Sequence, residues 1–149
     1  MKYNEIIESI DNKNYLNLYF LAGEENYYID KISSYISKNI LNEEEKTFNQ
    51  VVLYGKETNI KDVISEAKQY PFGAKNRVVI IKEAQHIRNI EEIQEYIEKP
   101  LNSTVLVFCY KKKIDKRKSV FKKIIKNKQL FESNKLYENQ VSNWISNYC

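Results

Sequence analysis

A chain of 149 residues is long enough for one ordinary domain with its own core. With 42% hydrophobic and 30% charged residues it is a folding sequence, not a disordered tail. The net charge of +4 is unevenly spread: Lys111 to Lys128 holds ten Lys or Arg against the single Asp115, so the rest of the chain is net acidic.

Met1 to Asp11 reads as a short amphipathic helix with Ile6, Ile7 and Ile10 on one face. Tyr15 to Leu21, apolar and ended by Ala22-Gly23, reads as a buried strand. Asn26 is placed to cap a helix in which Ile29, Ile32, Ile36 and Ile40 share a face. Thr47 to Tyr54 is expected to be a second strand, closed by Gly55. Thr58 or Asn59 then caps a helix through Tyr70, packed by Ile60, Val63, Ile64 and Ala67, and Pro71-Phe72-Gly73 breaks it. Arg77 to Ile81 is a continuous apolar run of the kind found inside parallel sheets. Ile87, Ile90, Ile93 and Ile97 make the stripe of another helix, stopped by Pro100. Thr104 to Cys109 is a fourth strand, Ser119 to Lys126 a basic helix with Val120, Phe121, Ile124 and Ile125 inward, and Gln129 to Glu132 a brief fifth strand. Gln140 to Tyr148, with Trp144 and Ile145, begins one more helix that leads out of the domain. The alternation predicts an α/β domain over residues 1–139, a parallel sheet with helices on both faces, and residues 140–149 as the start of a linker helix towards a helical domain.

In such a fold, ligands gather at the C-terminal ends of the strands. A phosphate-binding loop there needs G-x-x-x-x-G-K-S/T, with glycines for close approach, a lysine for phosphate charge and a hydroxyl for magnesium. Here Gly23 is followed by Glu24 and Glu25, and the G-K-S/T positions read Tyr28, Ile29 and Asp30. Val78-Val79-Ile80-Ile81 has the frame of a strand that normally ends in the Asp-Glu pair of magnesium and water handling, but continues as Lys82-Glu83. The fourth strand ends Phe108-Cys109-Tyr110, without a polar sensor of phosphate. A dinucleotide site would want three glycines where Gly23 stands alone, and His86 and Cys109 lack an orienting third group. His86 has no partner at metal-ligand spacing, and Cys109 with Cys149 makes no disulfide framework. No catalytic set, cofactor or metal is expected. No apolar run approaches the roughly 20 residues that span a bilayer, and Met1 to Ile10 lacks the apolar stretch of a secretory signal, so cytoplasmic residence is expected.

Several stretches, in order and at matching spacing from about Tyr15 to Ile145, resemble the delta subunit of the bacterial DNA polymerase III clamp loader. They are Tyr19 to Glu25, Tyr70-Pro71-Phe72-Gly73 leading into Arg77 to Lys82, Leu106-Val107 running into Lys111 to Arg117, and Trp144-Ile145. The resemblance implies an AAA+-like, P-loop NTPase-type domain with strand order 5-1-4-3-2 and a degenerate nucleotide site. It implies a non-catalytic part of the DNA polymerase III holoenzyme, a nucleotidyltransferase complex, acting in the replisome. Its partner would be the sliding clamp (the beta subunit), with other loader subunits held through domains not present here and the isolated domain monomeric.

The family places an apolar pair just before the third strand into a pocket on the clamp, and Pro71 and Phe72 occupy that position. Relatives carry Leu-Phe where this chain has Pro-Phe, which makes Phe72 the stronger candidate. A protruding aromatic delivers much contact area at low entropic cost; the alternative is that Phe72 folds back over the sheet edge. The basic segment also has two readings. It is a solvated helix face, or its Lys111, Lys112, Lys113, Lys116 and Arg117 contact primed DNA or an acidic neighbouring subunit. The rival to the clamp reading is a basic α/β domain that binds nucleic acid through this segment.

Overall fold

Strands apolar at every position need cover on both sides, and the computed structural model, which describes residues 1–133, provides it. The elements run α1 (Tyr3–Asp11), β1 (Leu18–Ala22), α2 (Asn26–Asn39), α3 (Glu43–Asn49), β2 (Gln50–Tyr54), α4 (Ile60–Ala67) and β3 (Arg77–Lys82). Two 3-10 turns (Ala84–His86 and Ile90–Glu92) lead to α5 (Ile93–Glu98), β4 (Thr104–Tyr110), α6 (Ser119–Lys126) and β5 (Leu130–Glu132). All strand pairs are parallel, in the order β2-β3-β4-β1-β5. Read from the other edge, this is the expected 5-1-4-3-2.

Alternate residues feed two core layers. Phe20, Val79, Ile81, Leu106 and Phe108 point to one face, against Val63 of α4, Ile93 and Ile97 of α5 and Phe121 and Ile124 of α6. Phe20 stacks on Phe108 at 5.4 Å and meets Phe121 edge-on at 5.5 Å between ring centroids. On the other face Tyr19, Leu21, Val78, Ile80, Val107 and Cys109 pack on Ile6 and Ile10 of α1 and Ile29, Ile32 and Ile36 of α2. Residues of β1, β3 and β4 are therefore buried almost throughout, whereas the edge strand β2 leaves Val52 and Tyr54 exposed.

The structure departs from the sequence expectations at identifiable places. Thr47 to Asn49 belong to a helix, not a strand: Asn42 and Glu45 close a reciprocal capping box that starts α3, and Glu43 to Glu45 sit where the helix dipole favours acids. The cap of α2 is Glu25, whose carboxylate accepts from the Tyr27 amide at 3.4 Å; Asn26 is already helical. Asn59, not Thr58, caps α4, which ends at Ala67 and not at Tyr70. Ile87, Ile90, Ile93 and Ile97 are all buried, but Glu83 and Asn89 are left-handed and split the expected helix into two turns and the short α5. Ile125 faces out from α6. Strands β1 and β5 start later than expected, and the helix expected over residues 140–148 lies outside the described residues.

One buried charge ties the chain together at the N-terminal edge of the sheet. Arg77, the first residue of β3, is 5% exposed. Its Nε donates to the Glu66 carbonyl at 3.1 Å, Nη1 to the Phe48 carbonyl at 3.2 Å, and Nη2 to the Glu66 carboxylate. The last turns of α3 and α4 are thus held to the start of β3: the Phe48 carbonyl at the end of α3 gains a partner, and the Glu66 carbonyl, which also accepts from the Gln69 amide, gains a second. Arg77→Met keeps most of the buried stem but strands those acceptors; the expected cost is about 2 kcal/mol, moderated because Glu66 is partly solvated. Thermal denaturation should show the melting temperature lowered by roughly 8 °C, and an unchanged melt would show that the guanidinium is dispensable.

Candidate functional site

The segment between α4 and β3 brings Pro71 and Phe72 to the N-terminal edge of the sheet. Pro71 is half-buried, while Phe72 is 73% exposed and does not fold back over the sheet. Tyr70 and Phe48 are also largely exposed, and these three rings are the most exposed large hydrophobic side chains among the described residues. Phe48 comes from the last turn of α3 and meets Phe72 edge-on, with centroids 5.6 Å apart. Gly73 has φ +68 with open space around it, so the chain turns sharply just beyond the ring.

An exposed ring would ordinarily ride on a mobile loop, but this one has a fixed base. The side chain of Asn49 is buried, and its carboxamide accepts from the Phe72 amide at 2.6 Å and donates to the Phe72 carbonyl at 2.8 Å. The second Nδ2 hydrogen goes to the Glu45 carbonyl at 2.9 Å. Phe48 and Asn49 are hidden from sequence reading because Thr47 to Tyr54 reads as a strand. The Asn42-x-x-Glu45 capping box was the available signal for the helix that presents Phe48; no local pattern marks the partnership of Asn49 with Phe72.

At the opposite edge, the end of β1, where a nucleotide would lie, is crowded by the chain itself. Gly23 has φ +137, and its amide points to the carbonyls of Tyr110 and Lys112, each at 3.1 Å. A Cβ at this position would lie 1.5 Å from the Ser133 carbonyl oxygen. The Glu25 amide also bonds Ser133, and the Glu25 carboxylate occupies the helix N-terminus where a phosphate would sit. Lys111 bridges Asp30 at 3.0 Å and Glu83 at 3.4 Å, and its backbone amide bonds Gln85. Burial pushes the Cys109 thiol up to about 11, which makes it a core side chain and not a nucleophile. His86 is exposed within its 3-10 turn. Among the described residues no cluster of three or more His, Cys, Asp or Glu could hold a metal ion, and no helix is long and apolar enough to cross a membrane.

The basic segment is largely engaged in ion pairs. Besides Lys111, Lys113 pairs with Glu24, Lys116 with Glu132 and Arg117 with Asp115. Lys118 pairs with Glu91 and Lys123 with Glu98, which fastens α6 to the segment around α5. Lys112, by contrast, is exposed and has no ion pair among the described residues. Gln85, opposed by partial burial and helped by Lys111, holds the Glu83 carboxyl below its ordinary value. Partial burial alone would lower the Lys111 ammonium, but Asp30 and Glu83 outweigh it and hold it above its ordinary value. Since the folded Glu83 is the stronger acid, its contribution to stability is present above its unfolded value of about 4.5 and is lost as pH falls through the folded one. Lys111→Met should therefore destabilise by about 1 kcal/mol near neutrality, a solvent-screened value. The difference between the two proteins in urea titrations should shrink below about pH 4; a difference independent of pH would assign it to packing.

Comparison with known proteins agrees with this fold. The family described as DNA polymerase III, delta subunit, matches residues 19–134. The DNA polymerase III subunit delta of Bacillus subtilis is 26% identical over 141 residues, covering 87% of this chain and 41% of the relative. The chain thus spans about two fifths of the length of that relative. The solved clamp loader delta protein of the same organism superposes with a TM-score of 0.76 at 26% identity, over 89% of this chain and 42% of that one. A gamma subunit-related protein of Thermotoga maritima shares the fold, with a TM-score of 0.55 at 13% identity over 96% of this chain and 50% of that one. An AAA+-like sheet whose phosphate loop is shut, followed by a family match over most of the chain, leads to one assignment: the chain belongs to the DNA polymerase III delta subunit family.

Proposed function

We propose that this domain is the clamp-docking module of a DNA polymerase III clamp loader, a non-catalytic part that grips the sliding clamp and helps open it for loading onto primed DNA. The observation that carries the reading is an exposed Phe72 ring on a backbone held by a buried side chain. A ring that leaves its apolar area in solvent, yet is anchored from behind, suits insertion into a pocket on a partner. Family membership points to the clamp as that partner. Phe48 extends the anchor into a paired-ring patch, and Pro71 stiffens the approach to it.

Catalysis is assigned to other subunits. The groups that would hold nucleotide are replaced by Tyr28, Ile29, Asp30 and Lys82, and Lys111 with its two carboxylates lies beside them. Primed-DNA contact through the basic segment is the weaker reading, because six of its ten cations are already paired with acids of the same domain. The exposed Lys112, Lys122, Lys126 and Lys128 are what would support it. Action in the replisome, in the cytoplasm, follows from the clamp reading and is proposed with it.

Phe72→Ala should weaken binding to the same organism's sliding clamp at least thirtyfold, which is about 2 kcal/mol, and Phe48→Ala severalfold. Neither should shift the melting temperature by more than about 2 °C, since exposed side chains are being cut. Unchanged clamp affinity in Phe72→Ala would remove the reading. In a separate measurement, isothermal titration with ATP and magnesium should give no binding heat; a micromolar constant would overturn the non-catalytic assignment.

A further inference from the structure

We infer that Asn49 is a positioning residue that presents Phe72 to its partner, so that the docking element is preformed before binding. This deepens the docking reading and rests on it. Asn49 closes α3, 23 residues before Phe72, yet its carboxamide pairs with both backbone groups of that residue, as a neighbouring strand would. The orientation of the amide follows from its surroundings. Two carbonyl oxygens, of Glu45 and Phe72, face Nδ2, and an N–H faces Oδ1; the flipped amide would set donor against donor and acceptor against acceptor.

All of this hydrogen bonding is spent on a residue whose side chain contributes little to the core. Phe72 is 73% exposed, whereas Asn49 is 1% exposed. A core-stabilising arrangement would bury the ring and leave the amide outside. The inverse arrangement, fixed backbone beneath a free ring, lowers the ordering cost of binding. Arg77 fixes the adjacent residue from the other side by donating to the Phe48 carbonyl, so the two rings at 5.6 Å are set by one short stretch of buried polar contacts.

The test compares four forms of the intact protein, parent, Asn49→Ala, Phe72→Ala and the double variant, for affinity to the same organism's purified sliding clamp and for amide hydrogen exchange. Asn49→Ala should weaken clamp binding about tenfold. It should also speed exchange at the Phe72 amide, while Val79 and Ile81 in β3 remain protected. In the Phe72→Ala background the same substitution should have no further effect on affinity, because a positioning residue has nothing left to position. Should Asn49→Ala fail to fold, Asn49→Asp carries the same comparison, since it keeps the acceptor for the Phe72 amide and loses the donor to its carbonyl. Equal losses in both backgrounds, or full affinity in Asn49→Ala beside a weakened Phe72→Ala, would overturn the positioning role alone. Full affinity in Phe72→Ala would overturn the docking reading and this inference with it.

Discussion

The guanidinium of Arg77 is the constraint on which the N-terminal edge of the sheet depends. A buried cation is stable only when its donors are taken up, and here they are taken up by the ends of two helices. Because α3 and α4 must deliver the Phe48 and Glu66 carbonyls to one side chain, their ends converge at the start of β3. The neighbouring carbonyl of Ala67 is met by Thr104 at 2.7 Å, which ties the same helix end to β4. Everything that presents Phe72 is built on this junction.

The two edges of the sheet have exchanged importance. In an open α/β sheet the C-terminal ends of the strands are the usual place for ligands. In this domain the end of β1 is crowded by main chain at Gly23 and Ser133, and Lys111 pairs with Asp30 and Glu83 beside it. Pairs of this kind contribute little energy each, but they fill space with fixed, mutually neutralised charge. The N-terminal edge, normally a structural end, carries the exposed aromatic patch. The exposed patch thus lies at the edge opposite the one where phosphate chemistry would sit, with the strand order of the fold intact.

The basic segment illustrates how a charge count in sequence differs from a charge field in space. Ten cations within eighteen residues look like a nucleic-acid footprint. Once folded, half of them lie beside acids brought from other elements: Glu24 and Asp30 from the start of the chain, Glu83, Glu91 and Glu98 from the middle, and Glu132 from β5. The net acidity of the rest of the chain is the other half of these pairs.

Continuous apolar runs at Arg77 to Ile81 and Thr104 to Cys109 were sufficient to declare a doubly covered parallel sheet, since only strands buried on both faces tolerate such composition. The absence of G-K-S/T after β1 and the Lys82 ending β3 were equally legible, because a phosphate site is written in a few contiguous residues. Local geometry was less so. Periodicity records burial and not conformation, which is why Ile87, Ile90, Ile93 and Ile97 are buried as expected but do not lie on one helix. Sequence determined that Phe72 stands at a helix break before the third strand. Only the tertiary structure decided that its ring is exposed, that Phe48 lies against it and that Asn49 holds it. A hydrogen bond between residues 23 apart leaves no local pattern, and it exists only where packing brings α3 and the β3 approach together.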